Sequence, residues 1–170
     1  MTTPEPVAPE MHEAILALNN AHAEELSLLD AAGLEALLDG AFHTRRIGDL
    51  EAFIIALDEQ KEGYDSPNYR WFQARMPRFV YVDRVVVSAG ARGKGHARRL
   101  YTDLMERARR AGHHVLVCEV NAEPPNPASD AFHAALGFQE IGAAVIHGGA
   151  KAVRYFALEL AGGSASPNAS

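Results

Sequence analysis

The chain has 170 residues, 48% hydrophobic and 22% charged, which is the profile of one soluble domain able to bury a normal core without metal or disulfide. A lone cysteine, Cys118, excludes an internal disulfide, no apolar run approaches the ~20 residues that span a bilayer, and the start MTTPEPVAPE lacks the layout of a secretion signal, so a cytoplasmic location is expected. The net charge of −6, from 16 Lys and Arg against 22 Asp and Glu, speaks against a broad grip on nucleic acid.

The placement of charge is uneven. Residues 1–40 hold eight acids and no Lys or Arg, whereas residues 91–111 hold seven bases against Asp103 and Glu106. An acidic chain with one basic segment is expected to use that segment on a compact anion, and the acidic first forty residues suggest a cationic acceptor.

In chain order, the prolines at 4, 6 and 9 make residues 1–9 a disordered tail, and residues 161–170 (AGGSASPNAS) form another, bracketing one domain over 10–160. Met11, Ile15 and Leu18 predict a helix over 10–20, and Asp30 is an N-cap candidate for a second over 30–38. Residues 52–57 (AFIIAL) read as a strand, preceded by another around 41–47. Residues 60–77 read as a long loop with room for one helical turn. Their cluster Tyr64, Tyr69, Trp71 and Phe72 either lines an acceptor pocket or packs on the sheet.

The second half is more regular. Residues 79–87 (FVYVDRVVV) form a β-branched strand, then come a Gly-rich turn and a basic helix that stops at Gly112. A strand over 115–120, a helix over 127–136 and two strands over 139–147 and 150–160 complete a mixed α/β (α+β) sheet without internal repeat.

The turn Arg92-Gly93-Lys94-Gly95-His96-Ala97 lies between a strand and a helix, so its backbone N–H groups and the helix dipole make an anion site suited to phosphate or pyrophosphate. A P-loop does not fit, because Ser88 stands where its first Gly belongs and Gly95 where its hydroxyl should be. A dinucleotide fingerprint does not fit either, because Arg98 occupies its third small position.

The turn resembles the Arg/Gln-X-X-Gly-X-Gly/Ala acyl-CoA turn of the GNAT superfamily, the Gcn5-related N-acetyltransferases. A second block, Asn121, Asn126, Ser129 and then Phe132-His133-Ala134-Ala135-Leu136-Gly137-Phe138, is similar to that family's next strand and helix. The resemblance covers residues 79–160 well. It implies a GNAT fold: a central, mostly antiparallel sheet with a splayed parallel strand pair, flanked by about four helices.

It also implies acetyl-CoA as co-substrate. The main chain of the Val85-Val86-Val87 strand would hold the pantetheine arm, chiefly through Val85 and Val87. The turn Arg92, Gly93, Lys94, Gly95, His96 and Ala97 would hold the pyrophosphate, and Asn126 and Ser129 would contact the cofactor from the following helix. Lys94, Arg98 or Arg99 would meet the 3′-phosphate.

Direct acetyl transfer needs a neutral amine, an oxyanion donor and a proton for the leaving thiolate. Many family members supply that proton from a Tyr directly after the Phe of the second block. This chain has His133 there, either an imidazolium acid or a space-filler. Asp83 is the first candidate for the base, because strict alternation puts it on the side of Val85 and Val87, away from Arg84. The alternative is a structural pairing of Asp83, with Glu119 as the reserve base.

Cys118, inside an apolar strand, reads as core rather than nucleophile. No metal is expected, since His12-Glu13 is followed by Leu16 where a second ligand belongs and His113-His114 point opposite ways. The reading is an acetyl-CoA-dependent N-acetyltransferase acting on a small-molecule primary amine, without nucleic-acid or membrane partners and with assembly as a homodimer left open. Acetylation of a protein N-terminus or lysine, or non-catalytic acyl-CoA binding, is the alternative.

Overall fold

A computed structural model describes residues 3–22 and 28–160. The expected C-terminal tail lies outside the described residues. Among the described residues, seven strands form one sheet in the order β1-β2-β3-β4-β5-β7-β6. They are β1 (Glu5–Pro6), β2 (His43–Ile47), β3 (Ala52–Asp58), β4 (Val80–Val87), β5 (Val115–Glu123), β6 (Gln139–Ile146) and β7 (Lys151–Glu159). All neighbours are antiparallel except β4 and β5. The β-branched run of β4 and the apolar run of β5 are buried on both faces, as a parallel pair requires.

Alternation divides the core into two layers. Ala52, Ile54, Ala56, Val80, Val82, Leu116, Cys118 and Val120 face α4 (His96–Arg110) and α5 (Pro127–Leu136). Phe53, Ile55, Leu57, Tyr81, Val86 and Val117 face α1 (His12–Asn20), α2 (Ala31–Leu38) and α3 (Pro67–Gln73). Each helix presents one apolar stripe to its layer; in α4 this is Leu100, Tyr101, Leu104 and Ala108, with the arginines outward. The Asp30 side chain accepts from the Gly33 N–H at 2.7 Å, capping α2 as its sequence signature suggests.

Three local expectations change. Glu5 and Pro6 are not a free tail but pair with Arg46 and Arg45, and Glu5 meets the Arg46 guanidinium at 3.0 Å. The segment expected to be loop contains α3, because Ser66 caps it through the Tyr69 N–H and Pro67 occupies its first turn. In consequence Tyr69 and Phe72 point into the core and Trp71 stacks on Tyr155, which settles most of the aromatic cluster as packing. Finally, β5 runs on to Glu123, three residues further than expected.

The Trp71 ring stacks on Tyr155, 4.2 Å away, and carries the Arg75 guanidinium at 3.9 Å, so moving it disturbs both contacts. A Cβ on Gly142 would stand 2.4 Å from its Cζ2. Gly142→Ala is therefore expected to destabilise the fold by about 2–3 kcal/mol. A fall in the thermal midpoint of several degrees checks it, and an unchanged midpoint would show that the indole moves freely.

Candidate active site

Strands β4 and β5 pair only at Val80–Leu116 and Tyr81–Val117, and beyond these residues they splay. The splay opens a cleft of about 210 Å³ lined by residues 82–87 of β4 and 118–121 of β5, together with Arg92, Asn126, Ser129, His133, Tyr101 and His22. Strand backbone left without a partner supplies N–H and C=O groups that an extended amide-bearing arm can pair.

At the end of β4 stands the turn that the sequence marks as a candidate anion site. Gly93 and Gly95 adopt φ of +83° and +80°, which a side chain would strain, and no added Cβ would clash seriously with a neighbour. These glycines serve backbone conformation, not close packing. Gly95 is the N-cap of α4 and makes no side-chain cap bond, so the first N–H groups of the helix are available to an anion. Arg92, Lys94 and Arg98 are exposed there. His96 is different: its side chain is buried and bonded to Glu51 at 2.9 Å, so only its main chain can face a ligand. Arg99 donates to the Lys94 carbonyl at 2.7 Å and braces the turn from beneath.

On the α1–α3 side a second cavity, about 420 Å³, is walled by Leu29, Gly33 and Leu37, by residues 61–68, and by Ile146, His147 and Lys151. Asp83, Arg84, Glu119 and Asn121 line both this cavity and the cleft, and so mark where the two meet. Of the aromatic cluster, only Tyr64 reaches it. The acids of the first forty residues do not, among the described residues; that stretch contributes Leu29, Gly33, Ala36 and Leu37 instead.

Asp83 does not share the side of Val85 and Val87. The pairing of β3 with β4 skips it, running from Ala56–Val82 to Ile55–Arg84, so Asp83 is the extra residue of a β-bulge. The bulge turns Asp83 and Arg84 onto one face, that of Tyr81 and Val86, while Val85 and Val87 face α4. Asp83 and Arg84 then pair with each other at 2.7 Å, and the Tyr64 hydroxyl donates to the other carboxylate oxygen. Arg84 also donates to Asn19 of α1 at 2.8 Å.

Glu119 points into the same junction. Its Oε1 accepts from the Tyr81 hydroxyl at 2.7 Å. Burial pushes its carboxyl up to about 7, with Asp83 adding to the rise and the Tyr81 bond and Arg84 opposing it. A carboxylate that titrates near neutrality, at the meeting point of two cavities, is suited to take a proton.

The acetyltransferase (GNAT) family model matches residues 32–138, more than half of the chain. The chain belongs to the GNAT acetyltransferase family. Among solved structures, the ribosomal-protein-S18-alanine N-acetyltransferase from Escherichia coli superposes with a TM-score of 0.69 at 17% identity, over 99% of this chain and 98% of that one. The yncA putative acetyltransferase from Salmonella typhimurium, solved with acetyl-CoA, gives 0.65 at 23% identity over 99% of each chain. A putative phosphinothricin N-acetyltransferase gives 0.68 at 17% identity over 95% of this chain and 99% of that one. No curated protein matches.

In this GNAT acetyltransferase Asn126, Ser129 and His133 of the second sequence block line the cleft. Asn126 caps α5 by accepting from the Ser129 N–H at 3.2 Å, which leaves its amide N–H₂ for the cleft. His133 is buried in the wall. Its Nδ1 lies 2.8 Å from the Ser129 carbonyl, so it carries the proton, and Nε2 at 2.8 Å accepts from the Tyr101 hydroxyl. Burial holds the imidazole below its ordinary pKa and hence neutral at pH 7. The geometry thus opposes the imidazolium reading and makes His133 the anchor of the Tyr101 hydroxyl. Cys118 is buried, with its thiol pushed well up by desolvation, as a core residue should be.

Asp58, Glu59 and His113 bring ligand atoms within 4.8 Å of one another, away from the cleft at the end of β3. Positive charge is already supplied there by the Arg78 guanidinium, 3.8 Å from Glu59. Among the described residues no helix is long and apolar enough to cross a membrane.

Sequence reasoning ranked Glu119 second, quoted Asn121 without giving it a role, and missed Tyr81 and His22. One signal was present: a single acid inside the apolar run VLVCEV.

Proposed function

We propose that the protein transfers acetyl from acetyl-CoA directly to the primary amine of a small molecule, in the cytoplasm. The observation that carries this reading is the junction: a splayed strand pair ending in an uncapped anion turn opens, at Glu119, into a separate walled cavity. In this reading pantetheine lies along the main chain of Val85 and Val87, with Val86 turned into the core. The pyrophosphate rests on the N–H groups from Gly93 to Ala97, and Arg92, Lys94 and Arg98 supply positive charge. Asn126 and Ser129 hold the arm from α5.

The acceptor amine enters from the cavity. Its nitrogen attacks the thioester carbonyl, the C–N bond forms as the C–S bond breaks, and Glu119 removes the surplus proton directly or through one water. Asp83, engaged by Arg84 and Tyr64, shapes the wall instead of taking the proton. The departing thiolate leaves along the wall that Tyr101 and His133 form and takes its proton from water, since the one hydrogen of the Tyr101 hydroxyl is given to His133 Nε2. A cavity enclosed by α2, residues 61–68 and the β6–β7 hairpin favours a compact acceptor over a protein surface.

A thiol-release screen with acetyl-CoA against amines, amino acids, aminoglycosides and short peptides tests the reading. Turnover is expected with a small amine. Turnover confined to peptides would reassign the acceptor, and CoA binding without release from any class would make the protein a binding module.

A further inference from the structure

Glu51 has no place in the reading so far, yet it touches the anion turn at both ends. It closes the connection between β2 and β3, where its N–H donates to the Ile47 carbonyl at 2.8 Å and Leu50 is held at a φ of +70°. Its carbonyl accepts from the Ser88 N–H at 2.9 Å, where β4 ends and the turn begins. Its carboxylate accepts from His96 Nε2 at 2.9 Å and stands 3.5 Å from Lys94 Nζ. His96 Nδ1 in turn accepts from Arg99 at 3.1 Å, and Arg99 donates to the Lys94 carbonyl at 2.7 Å. The ring Glu51–His96–Arg99–Lys94 closes on itself through a histidine whose side chain is only 3% exposed. These bonds, first that from His96 and then the charge of Lys94, hold the Glu51 carboxyl below its ordinary range, so it is an anion at neutral pH.

A carboxylate beside a phosphate site opposes ligand binding by charge. Its contribution must therefore come through geometry. We propose that Glu51 is a positioning residue: by accepting from His96 it presets the first turn of α4 for the cofactor phosphates, and it cedes Lys94 to them on binding. The inference rests on acetyl-CoA being the ligand of the turn.

The two roles separate by substitution. Glu51→Gln keeps an oxygen for His96 but removes the charge that opposes phosphate and holds Lys94, whereas Glu51→Ala removes both. Titration of the full chain with CoA is expected to give a Kd about tenfold higher for Glu51→Ala, and a Kd equal to or lower than wild type for Glu51→Gln. The KM for acetyl-CoA should rise in Glu51→Ala by a similar factor, with kcat changing less than about twofold. Pantetheine, which lacks the pyrophosphate, should bind both variants as it binds wild type.

An unaltered CoA affinity in Glu51→Ala overturns the proposal, as does equal weakening of CoA and pantetheine. If Glu51→Ala does not fold by circular dichroism, Glu51→Gln decides alone, since a tenfold loss there makes charge, not geometry, the essential property. Wild type that binds neither ligand overturns the acetyl-CoA reading itself.

Discussion

Glu119→Gln is expected to lower kcat by about 10²- to 10³-fold while leaving the Kd for CoA within about twofold of wild type. The glutamine retains an oxygen for the Tyr81 hydroxyl, which lies 2.7 Å from Glu119 Oε1, so the wall is kept and only the proton acceptor is lost. A base must be ionised to act. With its carboxyl raised to about 7 by burial, Glu119 gives wild type a kcat that rises about tenfold per pH unit below that value and levels above it. Glu119→Gln should lose this limb. An imidazolium acid at His133 would give the opposite trend, a rate falling as pH rises past the histidine range; since burial holds His133 neutral, no such fall is expected from it.

The same group sets a stability signature. Its folded pKa is raised above the unfolded carboxylate value, so its ionisation opposes folding: the penalty is absent below about pH 4.5, grows between about 4.5 and 7, and is full above. Glu119→Gln should therefore stabilise the protein at pH 8 by up to about 3 kcal/mol and leave it unchanged at pH 4. Denaturant midpoints at the two pH values measure this. A variant with wild-type kcat and a wild-type pH profile would remove Glu119 from the chemistry.

What the sequence made legible is what depends on near neighbours. The turn from Arg92 to Ala97 and the helix that follows are local chemistry, since glycines at positive φ and an uncapped first turn leave N–H groups available to an anion whatever lies around them. The bounds of the helix over 127–136 are legible for the same reason, since Asn126 caps it by accepting from the Ser129 N–H and Gly137 ends it. The base was not. Strict alternation is a rule for regular strands, and one extra residue at Asp83 carries it to the other face, beside Arg84. No local pattern in FVYVDRVVV marks that bulge, because it is set by pairing with β3, some thirty residues earlier in the sequence. Likewise the upward shift that suits Glu119 to the proposed role arises from burial among elements distant in sequence. His133 was found by position, but its neutrality comes from burial, and the Tyr101 hydroxyl that it accepts from stands on another helix.

The bulge also produces the second large effect expected, at Arg84. Its Nε meets Asp83 at 2.7 Å, with side chains 4% and 2% exposed, and the Tyr64 hydroxyl and Asn19 belong to the same cluster. Arg84→Met should destabilise the fold by about 3–5 kcal/mol, because the Asp83 charge would remain buried without its cation. The pair as a whole is a different matter. Removing both charges spares their desolvation, so Arg84→Met combined with Asp83→Leu should recover most of that loss, to within about 1–2 kcal/mol of wild type.

A cost under about 1 kcal/mol for the single variant would mean that water reaches the pair and that it holds nothing in place. The rescued double variant then separates fold from function. With the sheet intact and the anion turn untouched, its affinity for CoA should stay near wild type. The wall shared by cleft and cavity, however, has lost the polar groups that orient Tyr64 and face Glu119. Its KM for the acceptor should therefore rise about tenfold or more, which is the expected mark of a buried ion pair kept for the shape and polarity of a site and not for stability.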